Sequence, residues 1–91
     1  MKLNEKEIYS SLNGLPGWER AESCIRRTFI FASFKETIVF VDKVAALAES
    51  LGHHPDIDIR WNKATLSLST HDQGGITEKD IDMARLITAI Q

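Results

Sequence analysis

The chain holds three histidines, and one short stretch contains all of them: His53 and His54 side by side, then His71. Histidine has an unperturbed pKa of about 6.5, so it gives and takes protons near neutrality. A well-placed general acid or base contributes on the order of 10²–10⁴ in rate. Three imidazoles brought to one cleft suit proton transfer on a single small molecule. Taken singly, the same residues have plainer readings. His53 and His54 close a helix, where a cation suits the negative end of the dipole, and His71 is a polar residue at a strand end.

Two carboxylates fall at positions that matter. Glu49 lies one helical turn before His53, where a carboxylate opposes the dipole. It orients a histidine, binds a ligand, or is simply solvated. Asp80 is the third residue after Thr77, the capping-box position, although Glu or Gln is the usual choice there. A short Asp beside imidazoles can instead hold one of them by a hydrogen bond. Zinc is disfavoured, because two of the histidines are adjacent and there is neither a second cysteine nor an H-x₃-H spacing. Cys24, on a strand, reads as a structural thiol and not a nucleophile. Gly74-Gly75 reads as a turn in preference to an anion site.

The elements that must position these groups follow from caps and periodicity. Asn4 to Asn13 reads as a helix, with Asn4 and Glu7 as a capping box and Ile8 and Leu12 on one edge. Asn13-Gly14 ends it, and Leu15-Pro16-Gly17 is a turn. Trp18 to Glu22 reads as a short strand. Cys24 to Phe31 is a stronger one, with Ile25, Arg27, Phe29 and Phe31 on one face and Arg26, Thr28 and Ile30 on the other. Its far end, apolar on both faces, is expected to be covered on both sides.

Ser33 with Glu36 opens a helix running to about Leu51. Phe40, Val44, Leu47, Ala48 and Leu51 form its core stripe, widened by Val41 and Ala45. That breadth exceeds what one sheet needs, so part of the helix is expected to meet a second subunit. Gly52 ends it. Ile57 to Trp61 alternates, Asn62-Lys63 is expected to turn, and Ala64 to His71 alternates again, giving a hairpin with one buried and one wet face. After the loop Gln73-Gly74-Gly75, Thr77 caps a last helix from Glu78 to about Ile90, with Ile81, Ala84, Ile87 and Ile90 along its edge. The expected fold is α+β, ordered α-β-β-α-β-β-α, a four-stranded antiparallel sheet with helices on one face.

Ninety-one residues make one domain, spanning 1–91. Such a chain buries roughly 60–65% of its unfolded surface, a thin core that oligomerisation would help. Apolar content of 43% and charged content of 26% are those of an ordinary globular protein. A net charge of −2, with no basic run beyond Arg26-Arg27, argues against nucleic-acid binding, which draws on phosphate neutralisation. A lone cysteine permits no intrachain disulfide and fits a reducing compartment. The N-terminus lacks a signal-peptide pattern, and the longest apolar run, Val44 to Ala48, cannot cross a bilayer, so the cytoplasm is the default.

The run His53-His54-Pro55, a hairpin ending Ser69-Thr70-His71-Asp72, then Gly75-Ile76-Thr77-Glu78-Lys79-Asp80 resembles the pterin-4a-carbinolamine dehydratase family. The similarity extends from Trp18 through the strand bearing arginines and phenylalanines, the central Val-Ala-Ala-Leu-Ala-Glu helix and the last helix. It implies loss of water from 4a-hydroxytetrahydropterin to give quinonoid dihydropterin, a step in pterin recycling after aromatic hydroxylation, with no metal or organic cofactor. It implies that His53 and His71 transfer protons and that His54 contacts the pterin. Glu49 and Asp80 match supporting acidic positions, while Pro55, Thr70, Asp72 and Gln73 match pocket positions. Which histidine is acid and which is base stays open. The chain departs from the family's pattern at Gly52, often a polar residue, and at Ile57-Asp58-Ile59, more aromatic in animal members. These departures leave the preferred pterin side chain open. Family members form dimers and tetramers, and some partner a transcription factor. A non-catalytic interaction module is therefore the alternative to an enzyme.

Overall fold

A computed structural model describes residues 1–91. Three helices and four strands follow one another in the order α1 (Glu5–Asn13), β1 (Glu19–Ala21), β2 (Cys24–Ile30), α2 (Phe34–Leu51), β3 (Asp56–Arg60), β4 (Lys63–Leu68) and α3 (Glu78–Ile90). A 3₁₀ turn, His71–Gln73, separates β4 from α3. The strands form one antiparallel sheet in the order β1-β2-β4-β3. The α+β order expected from the sequence is the order observed.

Local signals set the helix limits. Asn4 Oδ1 accepts from the Glu7 amide at 2.8 Å and Glu7 returns the bond to the Asn4 amide at 2.9 Å, a complete capping box. At α2 the box is only half made. Ser33 Oγ accepts from the Glu36 amide at 3.1 Å, but Glu36 answers the hydroxyl of Ser33 and not its backbone. Gly52, at φ 64°, takes the left-handed conformation that ends α2, and its amide donates to Ala48 O. A Cβ there would meet nothing within 4 Å, so conformation and not space selects the glycine.

Alternation decides which side of the sheet is covered. Ile25 and Phe29 of β2 and Ala64, Leu66 and Leu68 of β4 point to the helices and are buried. There they meet Ile8 of α1, Phe40, Val44 and Ala48 of α2, and Ile81, Ala84 and Ile87 of α3. Each such side chain contributes roughly 1.5–3 kcal/mol on burial, Val, Leu, Ile and Phe alike. Arg26, Thr28 and Thr65 share the other face, where the two threonine hydroxyls pair at 2.8 Å.

Several details differ from the sequence expectation, among them β4, which ends at Leu68 and not at His71, and Leu51, which is exposed at the end of the stripe read as core. Trp18 precedes β1 and is buried against the edge of Phe29, its Nε1 donating to Thr88 Oγ1 at 2.9 Å, so a tertiary contact and not a strand holds it. Ile30, at the far end of β2, is exposed on the open face. The hairpin turns at Trp61-Asn62, because Arg60 pairs directly with Lys63. Asn62 is tied to the neighbouring strand through both its carbonyl and its side-chain amide on Phe31, which leaves Trp61 to absorb a φ of 50°. Finally, β3 lies at the sheet edge with every residue exposed, and Ile57 and Ile59 stay 38% accessible. The side of β3 read as buried is only partly covered within the single chain.

Candidate active site

The C-terminal end of α2 meets the N-terminal end of α3 at the exit of β4. There His53 Nε2 lies 2.6 Å from Asp80 Oδ1. The Asp80 side chain is wholly buried and that of His53 is 14% exposed. The other carboxylate oxygen, Oδ2, accepts from Thr70 Oγ1 and from the Thr77 amide, both at 2.9 Å. Thr77 Oγ1 stands 2.7 Å from Thr70 Oγ1. No buried side-chain polar atom lacks a partner. A buried carboxylate is tolerable only when its lone pairs are occupied in this way.

Asp80 thereby fills both roles that its position suggested. It completes the capping box of α3 with Thr77, and it holds an imidazole. Asp is too short for the reach of a usual Glu, and that shortness keeps its second oxygen available to His53. Thr77, read from sequence as a cap alone, is also part of the buried network. The signal for this was Asp in place of Glu at the third helical position.

Glu49 pairs with His54 and not with His53, at 2.5 Å from Nε2. The left-handed residue Gly52 breaks the helical phase, so the four-residue relation of Glu49 to His53 no longer puts them on one face. Both members of this pair are open to solvent, 62% for His54 and 78% for Glu49. Pro55 is half-buried between His54 and the start of β3.

His71, Asp72 and Gln73 project from a small closed loop. Its base is the Thr70–Gly75 bridge, with the Thr70 amide on Gly75 O at 2.8 Å. The Gln73 and Gly74 amides bond back to Thr70 O and His71 O, each at 3.0 Å. All three residues are exposed. Thr70 joins the two halves, since its hydroxyl belongs to the buried network and its neighbour is His71. Beside it lies a groove of about 440 Å³ with Thr70, Asp72, Gln73 and Thr77 on one wall and Lys2 and Leu3 on the other. None of the three imidazoles lines that groove. No group of three or more His, Cys, Asp or Glu side chains is placed to hold a metal ion.

Residues 1–90 match the family described as pterin 4 alpha carbinolamine dehydratase. A protein of Roseiflexus castenholzii named "Putative pterin-4-alpha-carbinolamine dehydratase" is 58% identical, across 97% of this chain and 95% of its own length. The crystal structure of a "transcriptional coactivator/pterin dehydratase" from Brucella melitensis superposes with a TM-score of 0.95 at 37% identity, covering 99% of this chain and 98% of that one. A pterin dehydratase-like protein described as a RuBisCO assembly factor in the alpha-carboxysome shares the fold at 24% identity and a TM-score of 0.67, over 80% of this chain and 84% of that one. With a match from end to end and more than half of its residues shared with a relative of the same length, the chain belongs to the pterin-4-alpha-carbinolamine dehydratase family.

Proposed function

We propose that the protein dehydrates 4a-hydroxytetrahydropterin to quinonoid dihydropterin in pterin recycling, with histidines as general acid and base. The elimination breaks the C4a–O bond, and the hydroxyl leaves as water after receiving a proton. The N5–H bond gives its electrons to a new C4a=N5 double bond and its proton to a base. Protons balance within the reaction, so no metal or organic cofactor has a task in it. His53 and His71 are the proton-transfer residues of this reading, and His54 meets the pterin with Glu49 behind it. Pro55, Asp72 and Gln73 are the further pterin contacts.

The observation that carries the reading is the buried Asp80 carboxylate on His53 Nε2, tied also to Thr70, the residue next to His71. A solvated helix-end histidine needs no such support. Stopped-flow decay of the 4a-carbinolamine with purified protein tests it. Acceleration over the buffer rate that is lost in His53→Ala and His71→Ala supports the proposal, and decay at the buffer rate ends it.

The same reading places the protein in the cytoplasm as a homodimer or homotetramer. No helix is long and apolar enough to cross a membrane. The open apolar side of β3 and the exposed Phe34, Val39 and Leu51 of α2 support self-association. Light scattering on the purified chain decides the order. Those exposed apolar residues of α2 also favour a second reading, a non-catalytic module that docks another protein. A stoichiometric partner together with no dehydratase activity would establish the module instead.

A further inference from the structure

The buried network has a direction. Thr70 has one hydroxyl hydrogen, and it goes to Asp80 Oδ2. The 2.7 Å contact between the two threonines is then donated by Thr77 to Thr70. The Thr77 amide, which can only donate, also points at Oδ2. Every hydrogen in this part of the network runs toward the carboxylate. Hydrogen bonds given to a carboxylate favour its ionised form, which accepts and does not donate. The remaining partner, His53 Nε2, must therefore bring a hydrogen of its own.

From this we infer that Thr70 is a positioning residue, which through Asp80 keeps a proton on Nε2 of His53 and leaves Nδ1 as the ring atom that exchanges protons. The inference rests on the proposed function only for what Nδ1 meets. The fixed tautomer stands on the hydrogen-bond geometry alone. It changes the reading of Thr70 from pocket wall to support: the residue is 5% exposed and its hydroxyl is committed to Asp80. It also gives Thr77 a part in the chemistry, since its hydroxyl directs that of Thr70.

Nitrogen-15 NMR of the histidine rings at neutral pH, on the full chain, tests the tautomer directly. A proton on Nε2 of His53 is expected, with exchange confined to Nδ1, and a bare Nε2 in the wild-type protein overturns the inference. Thr70→Val removes the donor at nearly constant shape. It is expected to populate the Nδ1–H form and to lower kcat at least fivefold with KM within twofold, and Thr70→Ser is expected to restore both. A rise in KM with kcat and the ring spectrum unchanged makes Thr70 a substrate contact and overturns the inference. Should Thr70→Val fail to fold, the wild-type spectrum decides. Absence of turnover in the wild type with the Nε2–H spectrum intact sinks the proposed reaction and leaves the positioning role standing.

Discussion

Two imidazole–carboxylate pairs sit next to each other at the end of α2, and they are nearly equal in length. His53 to Asp80 is 2.6 Å and His54 to Glu49 is 2.5 Å. Their surroundings differ in every other respect. Asp80 is wholly buried and accepts two further hydrogen bonds, whereas Glu49 is held by His54 alone and is mostly in water. Contact distance therefore says little about what a pair is worth. Water screens the outer pair and competes for both its partners, so such pairs contribute about 0–1 kcal/mol. The Asp80 carboxylate of the inner pair has no water to fall back on, and losing one member strands the rest of the network.

The contrast can be broken most severely at Asp80. Asp80→Ala removes the acceptor of three donors, the Thr77 amide of the α3 capping box among them, and an expected loss of about 3 kcal/mol or more should appear as a lower urea midpoint. Dehydration is expected to fall with it. Next in size is His71→Ala, on the exposed loop. This variant is expected to keep its urea midpoint while dehydration drops at least tenfold, about 1.4 kcal/mol of transition-state stabilisation. An unchanged turnover there would remove His71 from proton transfer. Gly52→Ala comes third. Forcing a Cβ into the left-handed conformation between the two pairs should cost about 1 kcal/mol by thermal unfolding, whereas Gly52→Asn should cost less. The smallest effect belongs to Glu49→Gln, expected within about 0.5 kcal/mol of wild type and fading further in high salt. A larger loss would mean that a second subunit covers the outer pair in solution.

Much of the fold was legible because its signals are local. Asn4 with Glu7, Ser33, Gly52 and Thr77 mark helix ends within a turn of themselves, and α2 ends at Leu51, just before the left-handed Gly52. The alternation of β4 placed Ala64, Leu66 and Leu68 inside correctly. Illegible features were those where a distant partner competes with the local pattern. Trp18 looks like a strand residue, but it is claimed by Thr88 and Phe29. The turn at Trp61 is set by Asn62 on Phe31, a bond to a strand thirty residues back. Ile57 and Ile59 alternate like core residues, yet β4 and not β3 lies inside the sheet.

By itself the sequence determined the element order, the caps, the concentration of histidines and the family, since each is a matter of residue type at short range. Only the tertiary structure decided which acid meets which imidazole. Asp80 reaches His53 because two helix ends dock where β4 leaves the sheet, and Glu49 is turned to His54 because Gly52 breaks the helical phase. Spacing along the chain carries neither fact, because both depend on where separate elements come to rest against one core.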